Sequence, residues 1–308
     1  MSIENQMAEA SKALKKAALN ESAKSHLLEN TSLYGLLKKA ANRYVAGEQL
    51  AEVIIRVIEF NARGLQCTVD FMGESVRNAE EANKATGEFL KLAHEIVHAN
   101  LDCTISLDLS HIGLTIDKHL GFENLEKICA TGLEVMISAE GMDRTDRVLE
   151  AYLEASRQYK NLGITMQAYL HRSEDDFQEL IKHQGKIRIV KGAFDTPDGT
   201  ALNRGAALND RYLNYVKVLL EKAHNCSIAT HDPIIQNAVI SLLSNIASPG
   251  HYEFESLLGI QNEALFKLNG QHPTRVYLVY GTEWYLYLCN RMAEYPPSIF
   301  QAVVDIVE

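Results

Sequence analysis

The feature that most constrains the fold is a regular alternation of short apolar runs with amphipathic stretches, which begins at Gly64. Eight runs are rich in β-branched or aliphatic residues, at 65–71, 103–110, 133–140, 164–170, 186–194, 226–232, 252–259 and 274–281. Short apolar runs that alternate with helical patterns are typical of parallel strands buried on both faces. Eight such units favour an α/β fold of the (β/α)₈ TIM-barrel class over an open doubly wound sheet, which stays the alternative.

The first 60 residues carry helical periodicity and no strand pattern. In 49–62 the apolar residues recur at helical spacing, and no Pro/Gly-rich linker separates this segment from the repeats. We therefore expect N-terminal helices over 1–60 that pack on a barrel formed by 61–308.

Composition excludes several classes of protein. A formal charge of −10 disfavours nucleic acid and anionic membranes as partners. The five scattered cysteines form no CxxC pair, which argues against a disulfide framework and a structural zinc site. The N-terminus lacks the apolar core of a signal peptide, and no window has the roughly 20 apolar residues of a membrane span. We expect a reduced, cytoplasmic protein that is not an integral membrane protein.

In barrels of this class, catalytic residues come from the C-terminal ends of several strands. Those ends carry an unusual number of hydrogen-bonding side chains: Asp70, Glu74, Asp108, His111, Ser138, Glu140, Gln167, Tyr169, His171, Arg188, Lys191, Thr230, His231, Asp232, Tyr277 and Tyr280. The loop-like segment 195–207 follows the fifth run and would lie on the same face. Asp70 and Asp232 would also suit helix caps, and Ser173 fits the N-cap of a capping box.

A metal site from His111, His231 and Asp232 is conceivable, but the first run lacks the His-x-His pair of metal-dependent barrel hydrolases, so no metal is expected. Arg188 and Lys191 are more informative, because small residues follow them and let a ligand approach the backbone. Two cations at a strand end suit a phosphate or a polarised ring carbonyl. A phosphorylated sugar and a flavin both meet that requirement.

A series of motifs resembles one family: RYVAGE (43–48), MGES (72–75), QAYL (167–170), RIVKGAF (188–194), ATHD (229–232), EFESLLG (253–259) and VYLVYGTEWYLYLCNRMAE (276–294). They follow the family order of proline dehydrogenases. The resemblance implies a distorted (β/α)₈ barrel that binds FAD without a Gly-x-Gly-x-x-Gly fingerprint, which this sequence also lacks. It implies hydride transfer from the carbon beside the amine nitrogen to the flavin, giving an imine. It further implies a quinone as electron acceptor and, with it, peripheral contact with a membrane.

The resemblance also implies roles for matched residues. The flavin would be bound by Gln167, Arg188, Val190, Lys191, Gly192, Ala193, Thr230, His231 and Glu294. The substrate pocket would contain Asp108, Leu257, Tyr277, Tyr287, Asn290 and Arg291. Arg188 and Ser138 take catalytic positions. A cation near the flavin ring stabilises the negative charge of its reduced form, and Ser138 stands where the family has an aspartate.

Three positions depart from the family pattern. Asp108 replaces a lysine, Ser138 an aspartate, and Asn290 one of two arginines. Arg291 is then what remains of the three cations that would hold the carboxylate of proline, while Glu74 and Asp108 would favour a cation. We expect a proline-like cyclic amine or amino-acid substrate, with specificity altered from free L-proline. Authentic L-proline dehydrogenase, giving 1-pyrroline-5-carboxylate, and a non-catalytic flavin- or ligand-binding barrel are the alternatives.

Overall fold

The computed structural model describes residues 3–73 and 76–307, and in them eight parallel strands close into a barrel. The strands are β1 (Gln66–Phe71), β2 (Cys103–Leu107), β3 (Val135–Ile137), β4 (Leu162–Gln167), β5 (Ile187–Val190), β6 (Cys226–Ala229), β7 (Tyr252–Leu257) and β8 (Thr274–Tyr280). Each strand pairs with its neighbours in sequence, and β1 pairs with β8 from Gln66↔Arg275 to Phe71↔Tyr280. The predicted (β/α)₈ barrel is confirmed.

Helices follow the strands in alternation. In the described part of the chain they are α1 (Ile3–Ala18), α2 (Glu21–Glu29), α3 (Thr31–Ala41), α4 (Leu50–Asn61), α5 (Ala79–His98), α6 (Lys118–Cys129), α7 (Thr145–Ala155), α8 (Ser173–Leu180), α9 (Ala206–Glu221), α10 (Pro233–Leu243), α11 (Asn262–Leu268), α12 (Trp284–Glu294) and α13 (Ser298–Val307). None of these helices is long and apolar enough to cross a membrane.

Several predicted strands extended too far at their C-terminal ends. The run 103–110 forms a strand only to Leu107, and the run 186–194 only to Val190. The residues that follow are loops, although some are buried: Leu109 and Ile112 are 1% and 0% exposed. An apolar loop that packs into the barrel has the same sequence pattern as the end of a buried strand, so periodicity alone could not separate them.

Alternation along the strands separates two environments. On β5, Ile187 and Ile189 pack outward in the apolar core, while Arg188 between them reaches residues of other strands across the lumen. On β7, Phe254 belongs to the apolar core, while Glu255 next to it accepts hydrogen bonds from Thr68 of β1 and Ser227 of β6. Since successive side chains of a strand point to opposite faces, one sequence register supplies both the core and the lumen.

The lumen contains ion pairs where such barrels usually contain layers of branched apolar side chains. Towards the N-terminal ends of the strands, Lys186 lies 2.7 Å from Glu134 and 3.2 Å from Glu253, which is 2.9 Å from Arg275. One step nearer the C-terminal ends, Arg188 pairs with Glu255 at 2.8 Å. Each buried charge has a partner, which is the condition for keeping charges in a low-dielectric interior.

The N-terminal segment is attached to the C-terminal face of the barrel. The Ala46 amide donates to Val279 O at 2.8 Å, and the Gly281 amide donates to Gly47 O at 3.0 Å. Helix α1 lies against α12, where Ser11 Oγ donates to Ala293 O at 2.7 Å. Helix α4 buries Val53 and Val57 against the barrel. A domain boundary at residue 60 stays a prediction.

Gly259 tests how closely this segment must approach the barrel. Gly259 and Gly132 both have φ +81°, but a Cβ on Gly259 would collide with the carbonyl oxygen of Arg43, whereas one on Gly132 would meet nothing within 4 Å. We predict that Gly132→Ala costs about 1 kcal/mol of unfolding free energy, from left-handed backbone strain. Gly259→Ala should cost about 2–4 kcal/mol, because overpacking adds to that strain. Urea denaturation measures both, and equal losses would contradict the predicted contact.

Candidate active site

The centre of the candidate site is the Arg188 guanidinium, which is 4% exposed and lies in the lumen. Its Nε donates to Glu255 Oε2 at 2.8 Å and its Nη2 to Glu255 Oε1 at 3.3 Å. Its Nη1 donates to Ser106 Oγ at 3.1 Å and to Thr165 Oγ1 at 3.3 Å. The acceptors of these bonds lie on three strands, and together they fix the plane and the position of the charged guanidinium.

Glu255 is the counter-charge that makes this arrangement possible. It also accepts from Ser227 Oγ at 2.5 Å and from Thr68 Oγ1 at 2.7 Å. Burial alone would raise the pKa of Glu255, but the charges of Arg188 and Arg275 and these hydrogen bonds outweigh burial and lower it. The carboxylate therefore stays ionised, and the lumen keeps a salt bridge instead of a neutral pair.

Tyr277 of β8 covers one side of Arg188, with the guanidinium carbon 5.0 Å from the ring centroid. Its hydroxyl donates to Asp70 Oδ2 at 2.5 Å and lies 3.3 Å from Ser106 Oγ. Burial and the neighbouring Asp70 carboxylate raise the pKa of Tyr277 well above its ordinary value. The phenol is therefore neutral and available as a hydrogen-bonding group. Asp70 does not cap a helix, because Asn78 is the N-cap of α5.

Ser138 follows β3 directly and lies beside this group. Its Oγ is 2.9 Å from Ser106 Oγ and 3.5 Å from Tyr277 Oη. The structure thus brings Arg188, Tyr277 and Ser138, three of the residues predicted for the site, around the hydroxyl of Ser106. Ser106 was missed in the sequence because it looks like an ordinary strand residue. It lies two residues before Asp108, so both side chains point to the same face of the chain, and this spacing could have indicated that Ser106 faces the site.

Gln167, at the end of β4, is held by its neighbours on the same barrel face. Its Nε2 donates to Glu140 O at 3.0 Å, and its own carbonyl accepts from Ser173 Oγ at 2.5 Å. The predicted capping box was wrong: Ser173 is the first residue of α8 and Arg172 is its N-cap. Ser173 instead fastens the loop to the strand end. Glu140 also pairs with Arg144 at 3.0 Å.

A group of cations lies where β5 and β6 end. Lys191 pairs with Asp232 at 3.0 Å, and Asp232 is also the N-cap of α10, as predicted for it. Arg204 Nη2 donates to Gly192 O at 2.5 Å. The pKa of His231 is lowered, first by desolvation and then by the nearby charges of Arg291 and Arg204. His231 thus lies near several positive charges, and an anion bound beside them would be stabilised.

Arg204 was missed by the sequence analysis. It lies in the segment 195–207, which was recognised as a long loop on the correct face, but its basic residue was not singled out. Other predicted cofactor residues lie at the same strand ends: Val190 ends β5, Gly192 and Ala193 follow in the next loop, and Thr230 follows β6. Gly192 has φ +106°, a conformation that glycine adopts without strain.

Helix α12 supplies the other side of the barrel mouth. Arg291 pairs with Glu294 at 2.6 Å and lies over the Tyr287 ring, 5.1 Å from its centroid. Tyr287 Oη and Arg291 Nε are buried and have no hydrogen-bond partner in residues 3–73 and 76–307. Buried polar atoms are normally paired, so both atoms fit a bound molecule that would complete them. Asn290 lies on the same helix, and Leu257 ends β7.

Asp108 follows β2 on the same barrel face, close to Arg144. Desolvation alone would lower the pKa of Arg144, but its hydrogen bond to Glu140 and the carboxylates of Glu140, Asp143 and Asp108 raise it. Asp108 therefore lies in a partly neutralised setting. Glu74, its predicted companion, lies outside the described residues.

Other strand-end residues serve the packing of the barrel. His111 stacks on Phe71, with ring centroids 5.3 Å apart, and burial lowers its pKa to about 4. Tyr280 was expected beside the ligand mouth, but its hydroxyl donates to Glu88 of α5 at 3.4 Å, so it points outward. His171 donates its backbone amide to Thr200 O at 2.9 Å and ties down the loop after β5.

No three His, Cys, Asp or Glu side chains are grouped for a metal ion in the described ranges, so His111, His231 and Asp232 do not assemble a site. The sequence His94-Glu95-x-x-His98 has the spacing of a zinc-protease motif. It lies in the last turns of α5 with both imidazoles exposed and their rings stacked 5.9 Å apart. Within residues 3–73 and 76–307 no third ligand is grouped with these two histidines.

A surface cavity of about 500 Å³ lies apart from these residues, between α3, α4 and α11. Lys39, Arg56 and Phe266 are among its lining residues, and it shares none with the group around Arg188. Its lining also includes Leu258 and Gly259, which directly follow β7.

Comparison with known proteins identifies relatives of this site. The family model described as proline dehydrogenase matches residues 53–295. Proline dehydrogenase 2 of Bacillus subtilis (strain 168) is 30% identical over 270 residues, which cover 84% of this chain and 88% of that protein. Proline dehydrogenase of Deinococcus radiodurans is 29% identical over 267 residues, covering 83% and 86%.

A solved structure shares the fold. Proline utilization A (PutA) from Bdellovibrio bacteriovorus, inactivated by N-propargylglycine, matches with a TM-score of 0.79 at 19% identity. The match covers 94% of this chain and 36% of that chain, so this chain spans about a third of the larger protein. At this identity the likeness shows the barrel architecture.

The buried pair at the centre of the site predicts a pH-dependent stability. Glu255→Gln should lower the unfolding free energy by about 3–5 kcal/mol at pH 7, because Arg188 loses its counter-charge. The pKa of Glu255 is lowered in the fold, so its contribution is present above the unfolded value of about 4.3 and is lost as pH falls through the folded value. Urea denaturation at pH 7 and below pH 4 should show the difference between wild type and variant shrinking in acid.

The matched control for this prediction is Glu179→Gln. Glu179 pairs with Lys182 on an exposed face of the protein, and its removal should leave stability unchanged within error. Equal effects of the two substitutions at pH 7 would show that the buried pair contributes nothing special.

Proposed function

The chain belongs to the proline dehydrogenase family and is a flavin-dependent oxidoreductase acting on a CH–NH group, and from that premise we propose that it uses FAD to oxidise the C–N bond of a proline-like cyclic amine to an imine. The observation that carries the proposal is Arg188, a buried cation held at the C-terminal side of the lumen by Glu255 and covered by Tyr277. Burying a guanidinium costs free energy even when Glu255 is its partner, and a charge fixed at this position would interact with a group bound at the mouth.

The side chains fit a flavin nucleotide in two respects. The cations Lys191 and Arg204, with His231, suit a pyrophosphate. The unpartnered Tyr287 Oη and Arg291 Nε lie at the mouth, where a ligand would complete them. We propose that Gln167, Val190, Gly192, Ala193 and Thr230 contact FAD with them, and that Glu294 does so from α12.

When bound, FAD supplies the two-electron acceptor for hydride transfer. Arg188 places a fixed positive charge where negative charge develops, and its hydrogen bonds to Glu255, Ser106 and Thr165 prevent it from turning away. We propose that Ser138, together with Tyr277, contributes hydroxyl contacts on the substrate side. Leu257 and Tyr287 would form the walls that exclude water around the ring of the amine.

We further propose that the substrate is not free L-proline: it lacks a carboxylate, masks it, or adds a basic group. The support is the weakened set of cations at the expected carboxylate position. Asp108 and Asn290 carry no positive charge, and Arg291 is already paired with Glu294 at 2.6 Å. A carboxylate entering there would meet Asp108 and a partly neutralised guanidinium.

One observation favours the alternative, an authentic L-proline dehydrogenase giving 1-pyrroline-5-carboxylate. Arg144 lies close enough to Asp108 for that carboxylate to raise its pKa, so a cation stands near the strand-2 position after all. The relatives that bear the name proline dehydrogenase agree with this alternative. A barrel that binds FAD or another ligand without catalysis is the second alternative. We also propose a cytoplasmic location, from the composition, and a quinone acceptor with peripheral membrane contact, from the family resemblance.

An anaerobic titration decides among these functions. The purified protein is reconstituted with FAD, and the flavin absorbance is followed on addition of L-proline, its methyl ester and amide, pyrrolidine, and pyrrolidines with a second basic group. We predict bleaching by an ester, an amide or a basic pyrrolidine at concentrations where L-proline gives little. Preferential bleaching by L-proline would establish the first alternative, and FAD binding without bleaching by any amine would establish the second.

Charge restoration tests the substrate argument directly. Asp108→Lys with Asn290→Arg should shift preference toward free L-proline by about tenfold or more, because two cations then face the carboxylate. Asp210→Lys with Asn214→Arg makes the same change on the exposed outer face of α9 and should shift nothing. If both double variants keep the wild-type ranking of substrates, the departures at Asp108 and Asn290 do not set specificity.

A further inference from the structure

Asp70 was predicted both as a polar strand-end residue of the site and as a helix cap. It lies on β1 two residues after Thr68, whose hydroxyl reaches Glu255 in the lumen, so Asp70 faces the same space one step nearer the mouth. There it accepts the hydroxyl hydrogen bond of Tyr277 at 2.5 Å. Asp70 is half-buried, at the boundary between the lumen and the entrance.

The position directly after β3, residue 138, carries no carboxylate in this chain. The resemblance puts an aspartate there, whereas this chain has Ser138, whose Oγ is 3.5 Å from Tyr277 Oη. That separation is a weak hydrogen bond at most, and Ser138 bonds more closely with Ser106 at 2.9 Å. Tyr277 Oη thus lies near the hydroxyls of Ser106 and Ser138, and its charged partner is Asp70.

The partner determines what the Tyr277 oxygen can do. A neutral phenol has one proton, and a hydrogen bond to a carboxylate is shorter and about twice as strong as one to a neutral acceptor. With its proton committed to Asp70, the oxygen turns its lone pairs toward the other groups, Ser106, Ser138 and whatever N–H donor enters the mouth. Arg188, over the ring at 5.0 Å, prevents the phenol from tilting into the lumen.

We infer that Asp70 is a positioning residue, the carboxylate at the end of the first strand that sets the hydrogen bond of the Tyr277 hydroxyl. It acts through Tyr277: it fixes the direction of the hydroxyl proton, so that the phenol oxygen accepts a hydrogen bond from the substrate nitrogen. This inference rests on the proposed function for its consequence in turnover. The hydrogen bond itself is independent of any substrate.

The first experiment therefore needs no activity. Protein carrying tyrosine labelled with ¹³C at Cζ is compared by NMR for wild type, Asp70→Asn, Ser138→Asp and the double variant, and the Tyr277 signal is assigned by its absence in Tyr277→Phe. Asp70→Asn should shift the Tyr277 signal, and adding Ser138→Asp should return it toward the wild-type position. Asp102→Asn, at the opposite end of the barrel, should leave it in place. An unchanged signal in Asp70→Asn would overturn the inference.

The second experiment measures the consequence. With the amine that reduces the flavin best, Asp70→Asn should lower the limiting rate of reduction about 10- to 100-fold, while FAD content and melting temperature stay near wild type. Adding Ser138→Asp should recover most of that loss. In the Tyr277→Phe background, Asp70→Asn should have no further effect, because its route of action is already gone.

The outcomes separate this inference from the proposed function. If no amine reduces the wild-type flavin, the proposed function fails, and the NMR result still decides the position of the proton acceptor. If the wild type is active but Asp70→Asn is equally fast, or Ser138→Asp rescues nothing, Asp70 is a structural residue only. A loss in Asp70→Asn that persists undiminished in Tyr277→Phe would show that Asp70 acts by another route.

Discussion

The rest of the site depends on one buried ion pair, that of Arg188 and Glu255. Removing a guanidinium and a carboxylate from water costs several kcal/mol each, and their attraction offsets this only when the remaining donors and acceptors are also satisfied. Here Thr68 and Ser227 donate hydrogen bonds to the carboxylate, and Ser106 and Thr165 accept hydrogen bonds from the guanidinium. Residues of six strands thereby contact one ion pair, so the closed barrel is what holds the Arg188 charge in position.

A fixed charge in the lumen also decides where other groups can lie. Tyr277 covers the guanidinium, and its hydroxyl must then find a partner away from it, which is Asp70. The charges thus alternate in sign. Glu255 contacts Arg188 directly, and the neutral Tyr277 lies between Arg188 and Asp70. The cations Lys191 and Arg204 stand outside this series, on the side where β5 and β6 end. The mouth is consequently polarised, with one side suited to an anion and the other bearing carboxylates.

Much of this could be predicted from the sequence, for physical reasons that particular residues illustrate. Alternation of Ile187, Arg188 and Ile189 shows that one face of β5 is polar, and a polar face in a closed parallel sheet must line the lumen. The register between strands that are distant in sequence could not be predicted in this way. Nothing local to Asp70 indicates that Tyr277, 207 positions away, would be its partner, so a helix cap was as good a hypothesis. The predicted C-terminal ends of strands such as β2 were wrong because a buried apolar loop residue such as Leu109 has the same sequence pattern as a strand residue.

The central claim is that the Arg188 charge faces the flavin, and the midpoint potential of bound FAD tests it most directly. Arg188→Gln with Glu255→Gln removes both charges of the buried pair together, and Lys182→Gln with Glu179→Gln does the same for a pair on the exposed surface. The first variant should lower the potential by at least about 30 mV, a tenfold change in the two-electron equilibrium, because the reduced flavin loses its cation. The second should leave it near the wild-type value. Equal potentials in all three proteins, with FAD bound, would contradict the account.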